Sequence, residues 1–324
     1  MKPGERGAAL LAVLLLVALV ATLAALAMDR LALATRLAGN ARAIDQARGY
    51  ALGAEGLATL IVDRLSDREK GEASLPAGWA GETRSIPVEG GMIRARLGDG
   101  GSCFNLNGLV TGNQLGGFAA RPQMMDRLAT LLTMNGVSSA RVRTIVAAIT
   151  DWIDSDETPL PQGAEDAAYA HVAVPYRTGN TLMADVSELR MVAGVTPAVY
   201  AALRPWVCAL PVAEVAPLNV NILPPGRAAL LAMLYGGRLS VAQARAALLA
   251  RPTGGWPDAQ QFHAMPAIAS ATDRTGLSDE IAVRSRWFTL ELDVTLDGAQ
   301  VKETALIDGG IAPSRVVSRV WGNR

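Results

Sequence analysis

The densest group of residues that could do chemistry is an acidic run that follows a helical pattern near the middle of the chain. Its carboxylates are Asp151, Asp154, Asp156 and Glu157, and Glu165 and Asp166 follow after a proline-rich turn. Because Asp154 and Asp156 lie two residues apart just past a helix end, a loop can direct both carboxylates at one point. Glu165 and Asp166 can return to that point from the far side. Oxygen ligands without histidine or cysteine favour calcium over zinc, so the run predicts a calcium site.

The number of ions stays open at this level. The spacing is not that of an EF-hand loop, which needs alternate ligands, then a glycine, and a glutamate at the twelfth position. Three or four carboxylates carry more charge than one divalent ion neutralises, so the run predicts one or two calcium ions. The alternative is a solvated acidic loop that caps nearby helices, and the residues alone do not decide between the two.

The same carboxylates do not form a recognisable catalytic site. Glycosidases and two-metal phosphoesterases use paired acids, but they also need positioned acids, bases or further ligands. His171 and His263 lie far apart in the sequence, and no nucleophile elbow, phosphate loop or dinucleotide fingerprint is present. We therefore predict that the protein is not an enzyme. An anchored metal-dependent hydrolase is the weaker alternative, and it requires an activity that is lost when Asp154 and Asp156 become asparagine.

The composition excludes several other classes of protein. The 324 residues include 30 basic and 30 acidic side chains, so the net charge is zero and a generic nucleic-acid binder is excluded. Hydrophobic residues make up 50% of the chain, which excludes a disordered protein. Two cysteines and two histidines exclude a zinc-finger array.

The amino-terminal segment predicts a membrane anchor. Residues 8–28 carry no charge and are rich in leucine, valine and alanine, and a helix of that length crosses a bilayer. A cleavable secretory signal has a shorter apolar region that ends at a small-residue cleavage site. Lys2 and Arg6 precede the anchor, so the positive-inside rule keeps the amino terminus in the cytoplasm. The bulk of the chain is then periplasmic or extracellular.

The elements that would position the acidic run form an α+β fold. The helical pattern of the anchor continues to about Leu65 without a proline. Alternating residues predict one hairpin at 84–88 and 92–97, and a stronger one at 288–296 and 299–307 around Asp297-Gly298. We therefore expect a long transmembrane helix packed on a small antiparallel sheet, with a large all-α domain inserted between the strands.

The insertion is expected to be helical almost throughout. The predicted helices are 124–134, 139–154, 186–192, 197–207, 227–234 and 241–249. Asp185 with Glu188 three residues later is a capping box, and Thr196 before Pro197 is an N-cap with proline at the first helical position.

The helix pair at 185–207 resembles a helix-hairpin-helix module, which grips nucleic-acid phosphates in other proteins. A membrane-anchored DNA-binding or DNA-uptake protein is therefore the alternative function. Phosphate binding needs clustered lysine and arginine, however, and lysine is almost absent after Lys70. We interpret the helix pair as a packing module, and predict no nucleic-acid partner.

Cys103 and Cys208 both lie in the exported part of the chain. In an oxidising compartment two such thiols are expected to form a disulfide, which would staple the first helical unit to the sheet. Two unpaired buried thiols are the alternative.

The amino-terminal leader resembles that of type IV prepilins. A short charged leader ends in Arg6-Gly7 directly before Ala8 and the uncharged helix. In that family a membrane peptidase cuts after the glycine, here between Gly7 and Ala8, and methylates the new amino terminus. Most members have glutamate at the fifth mature position, where this chain has Ala12. That departure suits a subunit with no neighbour beyond it.

Several ordered motifs resemble one family more closely, the minor pseudopilin K family of type II secretion systems. They are Ser-Cys-Phe-Asn-Leu-Asn at 102–107, Asp-Trp-Ile-Asp-Ser-Asp at 151–156, Gly-Ala-Glu-Asp at 163–166, Ala-Asp-Val-Ser-Glu-Leu at 184–189 and Pro-Trp-Val-Cys at 205–208. The resemblance runs from the leader to at least Leu234, and the terminal hairpin fits it.

The resemblance implies a structural protein at the tip of a periplasmic pseudopilus in the bacterial inner membrane. It would join the minor pseudopilins I and J, meet the inner-membrane secretion platform and the prepilin peptidase, and start the assembly that exports folded proteins. It also implies bound calcium, with Asp154, Asp156, Glu165 and Asp166 as ligands. The expected domains are a leader at 1–7, the transmembrane part at 8–28, the rest of the helix and first strands at 29–104, a helical domain at 105–210, a second helical unit at 211–270, and the closing strands at 271–324.

Overall fold

The computed structural model describes residues 3–66, 81–271 and 280–322, with side chains described from Leu10 in the first helix. Lys2 and parts of the predicted segments 1–7, 29–104 and 271–324 lie outside the described residues. The helices are α1 (Pro3–Ser66), α2 (Pro122–Met134), α3 (Ser139–Asp151), α4 (Asp166–Tyr169), α5 (Pro197–Leu203), α6 (Ala228–Met233), α7 (Val241–Leu249), α8 (Ala259–His263) and α9 (Pro266–Ala271). The strands are β1 (Thr83–Val88), β2 (Gly91–Asp99), β3 (Phe104–Asn105), β4 (Val110–Asn113), β5 (Gly117–Ala120), β6 (Val207–Cys208), β7 (Leu218–Asn219), β8 (Ile281–Ala282), β9 (Trp287–Leu296), β10 (Ala299–Asp308) and β11 (Arg315–Trp321).

The long helix α1 is the predicted anchor and its extension. By length and composition it is apolar enough to cross a membrane. Its side chains are exposed from Leu10 to Arg42, and from there one stripe is buried. That stripe is Ala43, Ala47, Ala51, Ala54, Ala58 and Val62. The spacing of three or four residues places these side chains on one helix face, and their small size lets the helix lie close to a sheet.

The sheet under α1 has five antiparallel strands in the order β1-β2-β9-β10-β11. Alternate residues of β9, from Leu290 to Leu296, are buried against the α1 stripe. Asp297 and Gly298, which join β9 to β10, both have positive φ, as a two-residue hairpin turn requires. Both predicted hairpins are confirmed. Strand β11 was not predicted, because Ser318 and Arg319 interrupt any simple alternation in its sequence.

The insertion between β2 and β9 contains the other helices and the short strands. Strands β3 and β6 pair in parallel, as do β7 and β8, and β4 and β5 form a hairpin. The insertion, which was expected to be helical almost throughout, therefore also contains these short strand pairs, which were not predicted. The β3–β6 and β7–β8 pairs join residues that are distant in sequence, so local periodicity does not reveal them.

Three predicted helices differ in extent or type. Helix α3 ends at Asp151 instead of 154, because the Trp152 carbonyl accepts the N–H of Asn180 instead of continuing the helix. The helix predicted at 186–192 is a 3₁₀ helix, Val186–Met191, with the expected capping box. The helix predicted at 197–207 stops at Leu203, one residue before Arg204-Pro205, and continues as a 3₁₀ turn into β6.

The two predicted helical units share one hydrophobic core, which runs from Phe104 to Ile281. Arg127 of α2 donates to the Leu234 carbonyl at 2.6 Å and pairs with Glu280 at 2.7 Å in its interior. The disulfide Cys103–Cys208, with Cα atoms 5.8 Å apart, joins the residue before β3 to the last residue of β6. The predicted disulfide is therefore present. It links the segment that follows β2 to β6 within the insertion.

Candidate metal centre

The acidic loop begins at the carboxyl end of α3 and is clamped to the β4–β5 hairpin. The N–H of Ser155 donates to the Phe118 carbonyl at 2.9 Å, and the N–H of Phe118 donates to Ser155 Oγ at 2.9 Å. Asp154 N–H closes the last turn on the Thr150 carbonyl. These contacts fix the backbone that carries the first carboxylates.

Asp151 holds residues 160–165, the returning arm of the acidic loop, in place. Its Oδ1 accepts the N–H of Leu160 at 3.1 Å, and its Oδ2 accepts the N–H of Ala164 at 2.6 Å. Gly163 lies so close that a Cβ there would be 1.9 Å from Asp151 Oδ2. Only glycine therefore fits, and Asp151 brings Glu165 back towards Asp154.

The structure brings three carboxylates together at this point. Asp151, Asp154 and Glu165 each offer an oxygen within 4.8 Å of the others, and their exposed fractions are 0%, 2% and 5%. Two of the four predicted ligands, Asp154 and Glu165, belong to this cluster. Asp151 joins them, although the sequence interpretation left it out of the ligand set.

The other two predicted ligands lie at the edge of the cluster. Asp166 is half-buried, and its Oδ1 accepts the N–H and the hydroxyl of Thr178 at 2.9 and 2.8 Å, which lowers its pKa. Asp156 is exposed, and its Oδ1 accepts the N–H of Thr158 at 2.8 Å. Both still act on the cluster electrostatically, because the negative charge of Asp156 raises the pKa of Asp154 and that of Asp166 raises the pKa of Glu165.

Two oxygens of the cluster have no donor. Asp154 Oδ1 and Glu165 Oε1 are buried and accept no hydrogen bond within the described part of the chain. Burial, followed by the nearby carboxylates, raises the pKa of Asp154 to about 7. Burial also raises the pKa of Glu165 to about 7, against the hydrogen bond from Thr178. Buried carboxylate oxygens without donors are costly unless a cation lies between them.

A third segment, Thr178 to Asn180, contacts the acidic loop. It was not predicted from the sequence. Thr178 Oγ1 lies 3.2 Å from Glu165 Oε2, and the N–H of Asn180 donates to the Trp152 carbonyl at 3.1 Å. A Cβ on Gly179 would lie 3.2 Å from that carbonyl. The only signal in the sequence is the uncharged polar turn Thr-Gly-Asn, which is too common to indicate a site.

The predicted capping box supports the same region. The Glu188 carboxylate accepts the N–H of Ala184 at 2.7 Å and of Asp185 at 3.1 Å, and its Oε2 accepts Trp152 Nε1–H at 3.2 Å. Trp152 packs edge-on against Tyr169 at 5.6 Å. An aromatic side chain beside the acidic loop is therefore held by the helix pair at 185–207.

One face of that helix pair packs into the protein. The carbonyl of Gly194, in its turn, accepts a hydrogen bond from Arg141 of α3 at 3.0 Å. Leu189, Val192 and Leu203 are buried in the common core. Gly194 itself and residues 196–198 of the turn are exposed. Gly7 and Ala8, the predicted cleavage site, lie in α1 among residues whose side chains are not described.

The fold places the chain in the class of pilin-like subunits, in which a long amino-terminal helix packs along an antiparallel sheet. Two family models described as type II secretion system (T2SS), protein K match residues 102–212 and 218–284. The chain belongs to the protein K family of the type II secretion system.

Proteins from several bacteria resemble the chain over nearly its whole length. It is 35% identical to type II secretion system protein K of Pectobacterium carotovorum subsp. carotovorum, over 99% of this chain and 98% of the relative. It is 37% identical to protein K of Klebsiella pneumoniae, over 98% and 97%, and 34% identical to that of Pseudomonas aeruginosa, over 99% and 94%.

The fold also matches a solved structure. One chain of the crystal structure of the GspK–GspI–GspJ complex from the enterotoxigenic Escherichia coli type 2 secretion system aligns with a TM-score of 0.75 and 32% identity. The alignment covers 86% of this chain and 97% of that one.

Proposed function

We propose that the chain is the minor pseudopilin at the tip of a type II secretion pseudopilus. It would start pseudopilus assembly with the minor pseudopilins I and J, for export of folded proteins across the outer membrane. The observation that carries this proposal is the match to a chain of the GspK–GspI–GspJ complex over 97% of that chain. We propose that the role is structural, without turnover, in keeping with the secretion-system family to which the chain belongs.

The long helix supplies a surface for partner helices. Beyond the membrane segment, Leu57 and Leu60 of α1 are 59% and 57% exposed, on the side away from the sheet. Exposed leucines along a helix that continues from a membrane span suit packing against the helices of other subunits. The insertion would then sit above the bundle as a bulky cap that stops further subunits from adding.

We infer that the protein is anchored in the bacterial inner membrane with its amino terminus in the cytoplasm. Support comes from the apolar helix and from Arg6 at its start. The prepilin peptidase would cut between Gly7 and Ala8 and methylate the new amino terminus, and the inner-membrane platform would feed the subunit into the pseudopilus.

We also propose that the carboxylate cluster holds one or two calcium ions. The residues fit the ion, because they supply only oxygen atoms and two of these are buried without a donor. Asp154 and Glu165 are the central ligands, with Asp156 and Asp166 completing the set from its edge. Bound calcium would neutralise the cluster and tie the two arms of the acidic loop together, which orders the cap.

Co-purification tests the assembly role. The full-length chain is expressed with I and J from the same genome, solubilised in detergent and captured through a tag on I. The wild-type chain is expected to co-purify with I and J. A Leu57→Arg/Leu60→Arg variant is expected to be lost from the complex. Leu249→Arg on α7, where the leucine is 66% exposed, is the matched control and should be retained.

Absence of the wild-type chain from the complex would contradict the proposal. The alternative DNA-binding function makes a different prediction, salt-dependent binding to duplex DNA. Neither the family models nor the structural match supports this alternative.

A further inference from the structure

The insertion and the pilin-like body, which is α1 with its five-stranded sheet, have separate hydrophobic cores. The core of the insertion runs from Phe104 to Ile281, and the other core lies between α1 and the sheet. Among the described residues, none belongs to both cores. Close packing therefore holds each body together by itself. The position of one body relative to the other depends on the contacts along their boundary.

Three cavities lie along this boundary. Their volumes are about 560, 370 and 240 Å³, and each is lined by residues of both bodies. Phe288 of the sheet and Pro217 of the insertion line the first cavity, and Thr289 and Pro224 line the second. Protein interiors are normally close-packed, with few voids larger than a water molecule. A boundary with this much open space lets the two bodies shift against each other with little loss of packing.

The chain passes from the pilin-like body into the insertion at Gly101. The preceding residue is held on the body, because the N–H of Gly100 donates to the Trp287 carbonyl at 2.8 Å. The following residue is held on the insertion, because the carbonyl of Ser102 accepts a hydrogen bond from Arg227 at 2.6 Å. The change from one body to the other therefore takes place over a single glycine.

The chain returns to the pilin-like body between Ser285 and Arg286. Ser285 is held on the insertion, where its Oγ accepts a hydrogen bond from Asn219 at 3.0 Å. The carbonyl of Arg286 accepts the N–H of Gly309, in the loop after β10, at 2.8 Å. The next residue, Trp287, is the one that bonds to the first crossing. The two crossings are therefore adjacent, which is the arrangement of a hinge.

Arg286 also connects the two bodies through its side chain. Its Nε and Nη2 donate to the two carboxylate oxygens of Asp308, on β10, at 3.0 and 3.1 Å. Its Nη1 donates to Glu214 Oε2 at 2.7 Å, in the loop between β6 and β7. The Glu214 carbonyl accepts Asn105 Nδ2–H at 3.0 Å, so this loop is fixed to the insertion. Asp308 is buried and the Glu214 side chain is exposed, so the bond to Glu214 is the weaker of the two.

We propose that the insertion pivots on the pilin-like body at these two crossings, and that the ion pair between Arg286 and Glu214 favours one angle. An exposed ion pair shifts an equilibrium by roughly two- to fivefold, so this bond biases the angle without fixing it. A pivot of this kind changes the angle between the insertion and α1 while both cores stay packed.

Distances between spin labels test the proposal. Ser85→Cys on β1 and Leu249→Cys on α7 place one nitroxide on each body of the full-length protein in detergent, and both native cysteines are held in the disulfide. Pulsed electron paramagnetic resonance measures the distribution of distances between the two labels. Glu214→Gln is expected to raise the population outside the main peak roughly two- to fivefold. Sodium chloride at about 1 M should have the same effect on the wild type, because salt screens exposed ion pairs, and none on Glu214→Gln.

Glu291→Gln is the matched control. It also removes an exposed carboxylate that pairs with an arginine, Arg96 at 3.2 Å, but both of these residues lie within the sheet. This variant is expected to give the wild-type distribution. A second label pair, Arg143→Cys and Leu249→Cys, lies within the insertion and should give the same distribution in every variant.

Two results would overturn the proposal. If Glu214→Gln gives the same distribution as the wild type and as Glu291→Gln, the ion pair does not bias the angle. If the label pair within the insertion broadens together with the pair between the bodies, the insertion itself has loosened, and it does not pivot as one body.

Discussion

Asp151 accepts the backbone N–H of Ala164 at 2.6 Å, so the last residue of α3 holds the returning arm of the acidic loop in place. This contact does not depend on any bound ion. Asp151 therefore differs from the other acidic residues of the run, because its carboxylate positions the backbone of the loop. Asp151 sets the distance between Asp154 and Glu165, and the ion would act on a loop that is already closed.

Gly163→Ala is expected to open the loop. The added Cβ would lie 1.9 Å from Asp151 Oδ2, so either the helix end or the returning arm must move. Overpacking of this kind costs about 1–3 kcal/mol, measured as the free energy of unfolding in urea with chelator present. Calcium binding should weaken as well. Gly226→Ala is the control, because nothing lies within 4 Å of its Cβ, and equal losses in both variants would contradict the prediction.

The Asp154→Asn substitution is expected to remove the stabilisation by calcium without lowering the stability of the metal-free protein. In chelator at pH 8 the variant should be as stable as the wild type or more stable, because it removes a buried charge among like charges. At a calcium concentration 100 times the dissociation constant, the wild type should gain about 2.7 kcal/mol and the variant almost nothing. Paired thermal melts measure both effects. Asp126→Asn, an exposed carboxylate on α2, is the control, and a variant that responds to calcium as this control does would overturn the prediction.

The sequence was sufficient for features that depend on local chemistry. The capping box of Asp185 and Glu188, the cap at Thr196 and the turn at Asp297 follow from a few adjacent residues, and all three are present. The long helix and both hairpins follow from hydrophobic periodicity. The same reasoning found Asp154 and Glu165, because acidic residues near a helix end are visible as a cluster in the sequence.

The remaining parts depend on contacts between distant residues. Thr178 reaches the carboxylates only because the chain folds back, with the N–H of Asn180 on the Trp152 carbonyl, and nothing in the sequence of this segment indicates it. Asp151 looks like a helix residue until the positions of Leu160 and Ala164 are known. The short parallel pair of β3 and β6 depends on the disulfide partners meeting across the insertion.

Loss of the disulfide is expected to destabilise the insertion strongly. Cys103 and Cys208 are 105 residues apart in sequence, and a loop of that size corresponds to about 4–5 kcal/mol in the loop-closure model. A Cys103→Ser/Cys208→Ser variant should lose that much free energy of unfolding in urea. The wild type under reducing conditions should match it. A thiol assay of the unfolded, unreduced wild type should find no free thiol, and two free thiols would contradict the pairing.

Glu303 is expected to make the contact between α1 and the sheet sensitive to pH. Glu303 is buried on β10, and Arg319 of β11 bonds Glu55 of α1 while its Nε stays 3.6 Å from Glu303 Oε1. Burial, followed by the neighbouring Glu55, raises the pKa of Glu303 to about 8 from an ordinary value of 4.5. Between those two values the folded state holds a proton that the unfolded state releases. The stability that this group contributes is therefore complete below pH 4.5 and is lost as the pH rises through 8.

Glu303→Gln removes this titration and keeps the shape of the side chain. Between pH 6 and pH 8 the wild type is expected to lose up to about 1.4 kcal/mol per pH unit relative to the variant, because at Glu303 the folded state binds at most one proton more than the unfolded state. Urea unfolding of both proteins across this range measures the difference. Glu291→Gln, which changes a half-exposed carboxylate on β9 beside Arg96, is the control and should follow the wild type at every pH. A constant difference between wild type and Glu303→Gln would mean that Glu303 is ionised in the folded protein throughout, with Arg319 shared between both carboxylates.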